Sequence, residues 1–122
     1  MSLKKIVITF LLVLSLLSNL SCFTSRKAIE LNKEGFANSK NGNYEEAIKY
    51  YDKAIEADPE YVTPLVNKGM ALWKQGKYGE AIKCYDRALE LDSKNVKIWN
   101  NKGLVLANQG KYEEALVCYD KA

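Results

Sequence analysis

The chain has 122 residues, with 18 lysines and arginines against 15 acids and no histidine. That length allows one small domain with short additions. A net charge of +3, part of it in two lysines near the N-terminus, is no electrostatic footprint for nucleic acid. Three cysteines do not make a disulfide framework.

Lys4 and Lys5 open the chain and are followed by an apolar run, IVITFLLVLSLL, from Ile6 to Leu17, and then by small and polar residues ending in NLSC. A positive start, a short apolar stretch and small residues before a cut predict a secretory leader over residues 1–21. The run falls short of the roughly 20 apolar residues of a comfortable membrane-spanning helix. The stretch Asn19-Leu20-Ser21-Cys22 resembles the end of a bacterial lipoprotein signal, which implies acylation of the Cys22 sulfur and a lipid tether through a linker, residues 22–27. Ordinary cleavage nearby and an uncleaved anchor are the alternatives. Each predicts export to the cell envelope, membrane-anchored or periplasmic.

From Ala28 onward the chain repeats itself with a period of 34, in units 28–61, 62–95 and 96–122. Eight positions are identical in all three units, among them Gly35/69/103, Gly42/76/110, Ala47/81/115, Tyr51/85/119 and Asp52/86/120. Each unit reads as two helices. In the second half Tyr, Ala, Tyr and Ala recur at one helical spacing. Gly42, Gly76 and Gly110 follow the first half, where a helix end favours a residue that tolerates positive φ. Gly35, Gly69 and Gly103 fall inside a helix at a cost of about 1 kcal/mol each, which suggests close helix approach.

These residues resemble the tetratricopeptide repeat, a 34-residue helix–turn–helix with an alanine, an aromatic residue four later and a second alanine in its second helix. The resemblance covers 28–122 and implies an all-α solenoid of about three repeats, the last incomplete. Pro59 supplies the signature proline once and Trp99 the leading tryptophan once; Glu34, Lys68 and Lys102 replace the signature leucine. Such arrays bury each unit on its neighbours. The chain stops inside a second helix, so it reads as part of a longer array, or as one whose end around Leu116, Val117 and Tyr119 is covered by another copy or a partner.

No phosphate loop, nucleophile elbow or metal-ligand spacing occurs, so neither a cofactor nor an enzymatic role is expected. Cys84 and Cys118 are equivalent positions one unit apart, farther than a disulfide reaches, and are expected as free thiols. Positions 2, 5, 9 and 12 of each first helix share a face by spacing. The resemblance implies that this face lines a concave groove for a peptide or helix of a protein partner, with Phe36, Val66, Met70, Trp73 and Leu104 on it and Lys97 nearby. Asn67 and Asn101, which share another repeat position, would hold a ligand's backbone or simply meet solvent. The competing reading turns Phe36 and Trp73 down into the core. A Lys/Asn/Arg clamp on a C-terminal carboxylate, known in some members, is not implied: Asn32, Phe36 and Asn101 stand where Lys, Asn and Arg would be needed, and only Asn67 and Lys97 fit.

Overall fold

The computed structural model describes residues 2–122; Met1, the first residue of the predicted leader, lies outside them. The described residues form six helices and no strand: α1 (Leu3–Lys40), α2 (Tyr44–Ala57), α3 (Val62–Lys74), α4 (Tyr78–Leu91), α5 (Val96–Asn108) and α6 (Tyr112–Lys121). They pack as three antiparallel hairpins, α1–α2, α3–α4 and α5–α6, stacked side by side. The fold is the helical solenoid expected from the repeats.

One local rule builds all three hairpins. Gly42, Gly76 and Gly110 have φ of 79°, 77° and 78°, a backbone state that side-chain-bearing residues rarely adopt. Each lets the next amide fold back on the helix end. Asn43, Lys77 and Lys111 donate to the carbonyls of Asn38, Leu72 and Leu106, each at 2.9 Å. This is the paired closure of a Schellman end, and it fixes a three-residue turn.

The hairpins close through the second invariant glycine. A Cβ built on Gly35, Gly69 or Gly103 would lie 2.6, 2.7 or 2.6 Å from Cε1 of Tyr51, Tyr85 or Tyr119. The ring of each tyrosine occupies the space left by the missing side chain. Ala47, Ala54, Ala81, Ala88 and Ala115 are buried beside these rings, and Leu65, Leu72, Ile98 and Val105 fill the space between hairpins.

Adjacent units are also joined by charge. Lys68 Nζ lies 2.6 Å from Asp52, and Lys102 Nζ lies 2.6 Å from Asp86, the same contact one period later. Glu34 is the equivalent residue in the first unit.

One of the equivalent tyrosines buries its hydroxyl without a partner. Trp73 stands where the first unit has Ser39, and the buried Tyr85 hydroxyl has no hydrogen-bond partner. Burial pushes the Tyr85 pKa well above its ordinary 10.0. Removing an unpaired buried hydroxyl recovers its desolvation cost. Tyr85→Phe is therefore expected to gain about 1 kcal/mol and raise Tm by roughly 5 °C. Thermal melts of Tyr85→Phe beside the parent chain check it, and an unchanged or lower Tm would overturn it.

The N-terminal region departs from expectation. Residues 22–27, read as a linker, are helical and lie within α1. The physical reason is local: no glycine or proline occurs between Leu3 and Glu34, so nothing interrupts the backbone ladder. Packing also begins earlier than Ala28. Thr24 and Ser25 are half-buried, and Ser25 Oγ donates to Asp58 Oδ2 at 2.9 Å.

Candidate functional site

The first helices of the three units, α1, α3 and α5, present one stripe to solvent, and it sits one step round from the predicted face. Repeat positions 2, 6, 9 and 13 line it: Ile29, Lys33, Phe36 and Lys40, then Thr63, Asn67, Met70 and Lys74, then Lys97, Asn101, Leu104 and Asn108. All are exposed except the half-buried Asn67 and Asn101. Position 9 is the centre of the stripe. Phe36, Met70 and Leu104 are 53%, 36% and 44% exposed, all apolar and in register. Lysines border them, and the stripe carries no acid.

Position 5 turns inward where another unit follows. Val66 is 7% exposed and belongs to the core, so it leaves the predicted site. Spacings of 3 and 4 both approximate one helical turn, and periodicity alone does not choose between positions 5 and 6. Trp73 is half-buried against that core, with Lys74 Nζ 5.1 Å from its ring centre. It packs against the core more than it lines the open stripe, so Trp73→Ala would damage packing together with any docking surface.

The asparagines form an inter-helix link that stops partway. Asn67 Nδ2 donates to Asn32 Oδ1 at 3.0 Å, tying α3 to α1. The same step from Asn101 leads to Val66, which has no acceptor, and the enclosed Asn101 Nδ2 has no partner. Asn32 is committed to this link and buried.

On the opposite side, a surface hollow between α2 and α4 is lined by Asp52, Ile55, Lys68, Cys84 and Arg87. Its charges are of both signs, and Asp52 and Lys68 pair with each other. None of the three cysteines is bridged; Cys22 is exposed, Cys84 half-buried and Cys118 buried. Burial pushes both Cys84 and Cys118 above the ordinary 9.0, with Lys68 and Lys102 the leading opposing charges. The folded state thus holds these thiol protons more tightly than the unfolded chain. Their contribution to stability is complete below pH 9 and falls away above it. A thiol reagent at neutral pH should modify Cys22 first, Cys84 more slowly and Cys118 last, as followed by intact mass.

A non-metal, side-chain-lined stripe across stacked helical hairpins defines the class: a helical-repeat scaffold. The chain belongs to the tetratricopeptide repeat family. The TPR repeat model matches residues 39–76 and 69–110, and a further tetratricopeptide repeat model matches 100–122. Among solved structures, the second TPR of Spaghetti (RPAP3), bound to the HSP90 peptide SRMEEVD, is 32% identical. That match has a TM-score of 0.75 and covers 80% of this chain and 90% of that one. The first TPR of the same protein, with the same peptide, is 30% identical at a TM-score of 0.77, covering 80% and 79%. The Arabidopsis OM64 TPR domain shares the fold at 22% identity and a TM-score of 0.76, with 80% of each chain covered. No curated protein sequence matches the chain.

Proposed function

We infer that this chain is a non-catalytic scaffold that docks a segment of a protein partner along Phe36, Met70 and Leu104. One observation carries the reading: three equivalent positions on three neighbouring helices are all apolar and all open to water. Residues on an ordinary solvated face are polar, and contiguous exposed apolar surface marks interaction sites. With neighbouring helices about 10 Å apart, the stripe is about 20 Å long, the span of some six extended residues. Lys33, Lys40, Lys74 and Lys97 border it without an acid among them, which favours a segment of apolar side chains flanked by Asp or Glu. The related Spaghetti domains bind the acidic peptide SRMEEVD. In this chain Phe36, the committed Asn32 and Asn101 replace three residues of the carboxylate clamp, so the recognised segment is internal rather than a free C-terminus.

The test is selection from a random peptide library displayed against the full chain. Recovery of peptides with an apolar residue between acids supports the reading. Peptides without that pattern, or peptides that bind equally to a Phe36→Ser variant, would overturn it.

The scaffold is tethered to a membrane through the first half of α1 and exported to the cell envelope. Leu3–Leu20 is unburied helix throughout. At 1.5 Å per residue it is about 27 Å long, close to the roughly 30 Å hydrocarbon layer. Lys4 and Lys5 at its start, and Arg26 and Lys27 just past its end, are placed to reach the headgroups. Intact mass of the membrane fraction, with a Cys22→Ser control, separates an acylated chain beginning at Cys22 from an uncleaved one. A chain found only in the soluble fraction would remove the tether and leave the groove reading standing.

A further inference from the structure

We propose that the solenoid stands on the bilayer by one edge, with Phe23 in the headgroup layer and Leu91 and Val96 facing it. The inference rests on the anchoring by α1 given above, and the continuity of that helix carries it.

Because successive helices are antiparallel, the α2–α3 and α4–α5 loops lie at the edge from which the apolar half of α1 projects. The α1–α2, α3–α4 and α5–α6 turns lie at the other edge. No flexible segment separates the two halves of α1. Five residues along the helix from Leu20, Ser25 is already bonded to Asp58 of the α2–α3 loop. That separation is about 8 Å at the helical rise, comparable to the headgroup zone on one side of a bilayer. A rigid rod that ends its apolar stretch at Leu20 therefore brings this edge to the membrane surface.

The edge has apolar residues where such a contact would fall. Leu91 and Val96, flanking the α4–α5 loop, are 44% and 54% exposed, and Phe23 on α1 is more exposed still. The loop between them is held in shape rather than loose. Asn95 accepts from the Ile98 amide and donates to Asp92, and Trp99 Nε1 donates to the Ser93 carbonyl at 2.8 Å. Leu91 and Val96 are thus presented outward by a fixed loop. Lys94 and Lys97 beside them are long enough to reach lipid phosphates while the apolar pair faces the headgroups.

The orientation has a consequence for the groove. Phe36 lies sixteen residues beyond Leu20, about 24 Å above the apolar layer. The stripe from Phe36 to Leu104 crosses upright helices, so it runs parallel to the membrane plane at that height.

The test uses the full, uncleaved chain synthesised cell-free into nanodiscs of phosphatidylcholine and phosphatidylglycerol that contain doxyl-labelled lipid. The native cysteines are replaced (Cys22→Ser, Cys84→Ala, Cys118→Ala), and one fluorophore is attached through Leu14→Cys, Val96→Cys or Gln109→Cys. Gln109 sits in the turn at the far edge. Loss of emission at positions 14 and 96, with none at 109, is the expected result. Quenching at 14 without quenching at 96 would overturn the edge contact and leave the anchor intact. Equal quenching at 96 and 109 would overturn the orientation. Absence of quenching at 14 would overturn the anchor and the edge contact with it.

Discussion

Replacing Gly69 by alanine lowers Tm by roughly 10 °C, the largest loss expected from adding a single methyl group. The added Cβ would lie 2.7 Å from Tyr85 Cε1 and 2.9 Å from Cζ, inside any ordinary contact distance. Tyr85 is fully buried between hairpins and has nowhere to retreat. Overpacking of this kind costs about 1–3 kcal/mol, while alanine returns about 1 kcal/mol in helix propensity. A net loss of about 2 kcal/mol is expected because the ring is confined. The same exchange at Gly103 should cost much less. Its partner, Tyr119, is exposed and can swing outward. Calorimetric melts of Gly69→Ala and Gly103→Ala decide the matter, and equal losses in the two would show that ring confinement is not the cause.

Met70→Glu is expected to weaken a selected peptide roughly thirtyfold, equivalent to about 2 kcal/mol of apolar contact. Helical content should not change, because Met70 is open to solvent and glutamate is a good helix former. The substitution removes the central residue of the stripe and sets a negative charge beneath an acid-flanked ligand. Val117→Lys on α6, away from the stripe, is the matched surface control. Isothermal titration of both variants checks the prediction. Unchanged affinity in Met70→Glu would mean that the peptide binds elsewhere.

The fold was legible because its determinants are repeated. Gly42, Gly76 and Gly110 each mark a turn by a backbone requirement, and three copies in register leave little room for another reading. Gly35, Gly69 and Gly103 announced close helix approach before their tyrosine partners were visible. The exposed stripe was legible only in part. Phe36, Met70 and Leu104 face water, but Val66 does not, since one helical turn lies between spacings of 3 and 4 and a neighbouring unit covers position 5. Lys33, missed from the sequence, belongs to the stripe at position 6, and its equivalence with Asn67 and Asn101 was the available signal. The continuity of α1 was missed for a different reason. Targeting patterns are read by composition, and composition does not say whether the backbone from Cys22 to Lys27 is helical.

The paired lysines and aspartates between units give the array a direction. Lys68 meets Asp52 and Lys102 meets Asp86, each reaching back to the unit before it. Glu34 occupies the lysine's place in the first unit, and Asp120 the aspartate's place in the third. A rearranged gene that moved the first unit behind another would set two carboxylates face to face, and so would a second copy stacked head to tail on α6. The units are near-duplicates in shape but not interchangeable in order. Their sequence of assembly is written in the sign of one residue.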